Sequence, residues 1–167
     1  MNLQQLNTLT DTDAADAFQQ CCAAPDWIAG MVAARPYADL TSLCATASEV
    51  WSAMDEANLL EAFSAHPQIG NVDSLRAKYA GTKTLAAGEQ SSVQQADETV
   101  IEKLAAANHE YLQKFGFIFI VCATGKSAGD MLALLEARLH NNRAGELANA
   151  ATEQLKITLL RLEKMLG

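Results

Sequence analysis

The sequence is short of positive charge. Twelve lysines and arginines stand against twenty aspartates and glutamates, a net charge of −8 at neutral pH. A general nucleic-acid binder needs clustered cations to neutralise phosphates, so that class is set aside. Long hydrophobic runs are also missing. The longest uninterrupted one is Phe117 to Ala123, whereas a membrane span needs about 20 apolar residues. The start, Met1-Asn2-Leu3-Gln4-Gln5-Leu6, has neither the basic nor the apolar region of a secretory signal. Cysteine is limited to Cys21, Cys22, Cys44 and Cys122, without C-x-x-C spacing or the density of a disulfide scaffold. Buried thiols in a reducing, cytoplasmic setting are expected. With only three prolines, the chain has few obligatory helix breaks.

Half of the 167 residues are hydrophobic, enough for one domain with its own core, and that domain is expected over 1–167. Alanine and leucine are abundant and recur at helical spacing. Ala14, Ala17, Phe18, Cys21 and Cys22 mark a helix after Asp13, which Pro25 is expected to close. Trp27, Ile28, Met31 and Val32 mark a second that ends near Pro36. Asp39 is a candidate N-cap for a third, with an apolar stripe from Leu40 to Met54. Asp55 precedes a fourth, which must end near His66-Pro67 because the residue before proline is pushed out of the helical region. Residues 67–91 read as loop with one short helix over Ser74–Tyr79. A long helix from about Val93 to Lys114 is followed by Gly116, a C-terminal signal. Two more helices are expected near Ala128–His140 and Ala144–Met165, the last with a stripe of Leu155, Leu159, Leu162 and Leu166. Phe117 to Thr124 is apolar, β-branched and aromatic, but one strand would have no partner, so a buried extended segment or a piece of helix is expected. The fold class is all-α, a single-domain bundle of about seven to eight helices.

Familiar catalytic signatures are missing. Gly125-Lys126-Ser127 has the end of a phosphate loop, but Ile120 stands where that loop needs glycine. There is no H-E-x-x-H and no glycine-rich dinucleotide fingerprint. Glu136 and His140 share a helix face and read as a surface pair. His109 lies in a polar patch. His66 differs, because it falls where a helix must stop and a loop begins, and its ordinary pKa suits proton transfer. Glu89-Gln90, flanked by small residues, offers a carboxylate beside a two-way hydrogen bonder. Arg161 lies off the leucine stripe of the last helix, and its planar fork suits a carboxylate or a ureido group.

Together these segments resemble one known family. His66-Pro67-Gln68-Ile69-Gly70 matches an H-P-x-I-G signature and Glu89-Gln90 an E-Q loop. Asn108 to Lys126 matches N-x-x-Y-x-x-K-F-G-F-x-F-x-x-x-A-x-G-K. Arg138-Leu139-His140-Asn141 with Glu146-Leu147, and Glu153 to Leu162, are similar to its two C-terminal stretches. The family is that of 2-oxo-4-hydroxy-4-carboxy-5-ureidoimidazoline (OHCU) decarboxylase. One departure is that Ala86-Ala87-Gly88 precede the E-Q pair where many members carry a serine; Ser91 and Ser92 come after it.

The resemblance implies a helical, usually dimeric, cytoplasmic enzyme of urate breakdown. It would convert OHCU to (S)-allantoin and CO₂ with no cofactor and no metal. His66 would take the hydroxyl proton or steer the carboxylate into the cleaving geometry. Glu89 would orient the ureido arm or return a proton. Gln90 would hold the ring or the ureido amide, and Arg161 would bind a carbonyl or the leaving carboxylate. Backbone N–H groups of Phe117, Ile118 and Phe119 would meet substrate oxygens. Pro67 and Phe117 would form apolar walls. A helical module that holds a ureide or purine-derived ligand without turning it over is the alternative, and Leu160, well off the last stripe, is a candidate for an assembly face.

Overall fold

The computed structural model describes residues 1–67, 71–79 and 90–167, with backbone alone over 90–97. Among the described residues there are nine α-helices and no strand. By internal contacts the chain divides into two units, Met1–His66 with Asn149–Gly167, and Pro67–Ala148.

The first unit contains α1 (Leu3–Thr8), α2 (Asp11–Gln19), α3 (Pro25–Ala33), α4 (Leu40–Ser52), α5 (Glu56–Ser64) and most of α9 (Arg143–Leu166). Its core gathers Leu6, Ala14, Phe18, Trp27, Met31, Leu43, Ala47, Phe63 and Leu162, all essentially without solvent contact. Each large apolar side chain buried this way contributes about 1.5–3 kcal/mol. Phe18 meets the Trp27 ring edge-on at 6.0 Å, in the arrangement that the aromatic quadrupole favours. The polar ends of the buried rings are also satisfied. Trp27 Nε1 donates to the Ala47 carbonyl at 3.1 Å and Trp51 Nε1 to the Ala151 carbonyl at 2.9 Å. The second unit contains α6 (Val72–Tyr79), α7 (Gln90–Phe115), α8 (Ala128–Arg138) and the first residues of α9. Leu104, Tyr111, Phe115, Phe117, Ile120, Met131 and Leu135 are buried there.

The caps follow the sequence closely. Asp39 accepts from the Ser42 N–H and Asp55 from the Asn58 N–H, each at the expected helix start. Gly116 closes α7 with φ +80°, a left-handed conformation that glycine adopts without strain. Two expectations need correction. Pro25 opens α3 instead of closing α2, because proline at the first helical position gives up an N–H that has no helical partner anyway. Helix α1 was not expected at all. It has six residues, and its periodicity is too short to read. A reciprocal capping box between Asn2 and Gln5 holds its start.

The Phe117–Thr124 segment is irregular and partly buried, so the helical alternative expected for it does not hold. Cys21 and Cys22 are buried and Cys44 and Cys122 half-buried, all as free thiols. Burial pushes the Cys21 thiol up to about 11, which makes it a poor nucleophile.

Candidate active site

Helix α5 ends at Ser64, Ala65 caps it, and the His66 N–H donates to the Phe63 carbonyl at 3.2 Å. The break demanded by Pro67 therefore leaves the His66 side chain at the mouth of a helix, half-buried, with Pro67 exposed. His66 Nε2 lies 2.5 Å from Gln154 Oε1 on α9. Gln154 Nε2 in turn donates to Thr158 Oγ1 at 3.2 Å, and the Thr158 hydroxyl donates to the Gln154 carbonyl at 3.0 Å. Burial holds the His66 pKa below the ordinary histidine value. The Gln154 hydrogen bond opposes that shift, and the Arg161 guanidinium adds to it. The shift favours the neutral imidazole over the imidazolium. Arg161 is exposed, and its Nη1 donates to the Cys21 carbonyl at 3.3 Å.

The inward face of α9 corrects the sequence reading. Ala150, Gln154, Thr158 and Leu162 are buried, whereas Leu155, Leu159 and Leu166 are only half-buried. Gln154 was missed because a glutamine on a helix reads as a surface residue. The available signal was its i, i+4 register with Ala150, Thr158 and Leu162.

In the second unit, Phe117 is buried and Ile118 and Phe119 half-buried. Their segment is pinned from several sides. Arg138 Nη1 donates to the Ile120 carbonyl at 2.6 Å, and its guanidinium lies 4.6 Å from the Phe119 ring centre. Arg138 Nε bonds Glu146, which has no solvent exposure. Glu146 also accepts from Tyr111 Oη at 2.6 Å and from Asn141 Nδ2 at 2.9 Å. Burial raises the Tyr111 phenol well above its usual range, and the Glu146 hydrogen bond adds to this. The R-L-x-N…E-L stretch is therefore a buried ionic cluster that fixes backbone. His109, Glu136 and His140 are exposed, in line with the surface reading. No group of three metal-ligating side chains occurs among the described residues. Glu89 lies outside the described residues, as does Gln68-Ile69-Gly70 of the H-P-x-I-G stretch; Gln90 is the first residue of α7, and its side chain also lies outside them.

The described residues are helical and bring His66, Gln154 and Thr158 into one hydrogen-bonded chain. The family model for OHCU decarboxylase matches residues 7–163, and the chain belongs to that family. It is 34% identical over 151 residues to the uric acid degradation bifunctional protein TTL of Arabidopsis thaliana, covering 90% of this chain and 46% of that one. It is 24% identical over 163 residues to the 2-oxo-4-hydroxy-4-carboxy-5-ureidoimidazoline decarboxylase of Haloferax volcanii, covering 97% and 94%. The chain thus spans about half the length of the Arabidopsis bifunctional relative, or less for the PucL protein of Bacillus subtilis, and nearly all of the archaeal one. A crystal structure of OHCU decarboxylase in the presence of (S)-allantoin matches with a TM-score of 0.71 and 35% identity, over 90% of this chain and 97% of that one. No described helix is long and apolar enough to cross a membrane.

Proposed function

We propose that residues 1–167 act as one catalytic domain that converts OHCU to (S)-allantoin and CO₂. The observation that carries the reading is His66. It is a half-buried histidine at a helix end, bonded to Gln154 and within the family's H-P-x-I-G signature. The substrate bears a carboxylate on a carbon that also carries a hydroxyl, next to an unsaturated ring. When the C–CO₂ bond breaks, its electron pair passes into that ring system, and a proton must then reach one face of the carbon.

His66 takes the hydroxyl proton or orients the carboxylate for departure. Arg161 binds a carbonyl or the carboxylate through its planar guanidinium fork. Glu89 and Gln90 are assigned on family grounds to the ureido arm and the ring, with Glu89 a second candidate for the returning proton. Pro67 and Phe117 supply apolar surface, and backbone amides over Phe117, Ile118 and Phe119 stabilise developing negative charge. The reaction needs no added cofactor, because the substrate itself accepts the electron pair. Free thiols at all four cysteines support a reducing, cytoplasmic location. A homodimer is assigned on family grounds, with Leu160, 43% exposed on α9, a candidate for its face, and light scattering on the purified protein tests it.

The deciding experiment generates OHCU in situ from urate and follows circular dichroism. Spontaneous decay gives racemic allantoin, so product alone is uninformative. Rapid growth of one optical sign, lost in His66→Ala, is expected. A racemic course in the presence of folded protein refutes the reading and leaves a non-catalytic ureide-binding module.

A further inference from the structure

Gln154 is a polar side chain at a position that the α9 register buries, with 1% of its surface exposed. An amide there is costly unless both ends are bonded, and both are. The bonds are directional. The Thr158 hydroxyl has one proton, and it points to the Gln154 main-chain carbonyl, which can only accept. Thr158 Oγ1 is left to accept, and it accepts from Gln154 Nε2. The neighbouring Cys22, which burial holds as a thiol, is only a weak partner for the Thr158 hydroxyl, whose acceptor is the Gln154 carbonyl at 3.0 Å. The amide is thereby turned so that Oε1 faces His66. That oxygen can only accept, so the ring nitrogen opposite it must carry hydrogen.

We infer that Gln154, oriented by Thr158, is a positioning residue that holds His66 as its Nε2–H tautomer and so makes Nδ1 the atom that exchanges a proton with substrate. The inference deepens the decarboxylase reading and rests on it. A neutral amide suits this task differently from a carboxylate. It fixes the tautomer and ring orientation without adding the negative charge that would draw a second proton onto the imidazole. Arg161 is the charged group that acts on the ring, and it too disfavours the imidazolium.

The test uses the full chain with ¹⁵N-labelled histidine, because nitrogen shifts distinguish the two neutral tautomers without reference to activity. In the wild type, His66 is expected as the Nε2–H form. Gln154→Met keeps the volume and removes the acceptor. It should give a mixture of tautomers and lower kcat about tenfold, with KM within about twofold. Gln154→Glu restores an acceptor. It should restore the Nε2–H form while moving the His66 titration upward, a change that a merely structural role would not produce. Thr158→Val, nearly isosteric, should loosen the tautomer in the same direction as Gln154→Met and serves if that variant fails to fold. An Nδ1–H tautomer in the wild type overturns the inference. So does a Gln154→Met or Thr158→Val protein with an unchanged tautomer and unchanged kcat. Absence of turnover in the wild type refutes the decarboxylase reading alone, since the nitrogen shifts are read independently.

Discussion

Two buried polar clusters are built on α9, and they differ in charge. In the first turn, Glu146 is paired with Arg138 and bonded by Tyr111 and Asn141. Two turns on, Gln154 is neutral and joins Thr158 to His66. The ionic cluster fixes structure. Its cation reaches the Ile120 carbonyl and lies against Phe119, so an awkward non-helical segment is held by charge-assisted bonds. The neutral cluster orients a histidine without adding charge. A carboxylate at Gln154 would draw the imidazole toward its charged form, whereas an amide leaves it neutral. The chain buries an ion pair where it pins backbone and an amide where it meets His66.

That contrast can be broken from the ionic side first. Glu146→Leu leaves Arg138 without its buried counter-ion and should cost about 3–5 kcal/mol of stability, measured by denaturant unfolding. Adding Arg138→Met should restore much of that loss, because apolar replacement of a whole buried pair is often close to neutral. A double variant no more stable than the single one would show that the Ile120 and Phe119 contacts of Arg138 carry most of the energy.

On the neutral side the largest effect is catalytic. His66→Ala should lower kcat by about 10²–10⁴, the usual span for a positioned acid–base group, with far less loss of stability than Glu146→Leu. Arg161→Gln should move the His66 titration upward, since the cation disfavours the imidazolium. An unchanged NMR midpoint would remove Arg161 from the histidine's surroundings. The smallest effect is on the pH dependence of folding. His66 titrates lower in the folded chain than in the unfolded one, so the unfolded state takes up its proton first as pH falls. The His66 contribution is therefore complete above about pH 6.5 and is lost as pH drops through the folded midpoint. His66→Ala should flatten that slope, and an unchanged slope would contradict a neutral folded His66.

Local chemistry alone made the helical class legible, because caps and breakers act within a few residues. Asp39 and Asp55 start their helices and Gly116 ends α7 as their side chains or lack of one require. His66 was legible for the same reason: Pro67 forces a helix end at a fixed place. Pro25 was misread because proline both follows one helix and opens the next, and only the backbone path decides between them. Arg138 and Glu146 could be quoted as a motif, but neither could be recognised as half of a buried pair, since their bonds to Ile120 and Tyr111 join residues distant in the chain.

The sequence by itself determined most of the helices, several of their ends and the histidine that stands at one of them, because those depend on neighbours a turn away. Only the tertiary structure decided which face of α9 is buried. That choice comes from packing against other helices, and it turned an unremarkable glutamine into the group that orients His66 and a string of half-exposed leucines into the helix's flank.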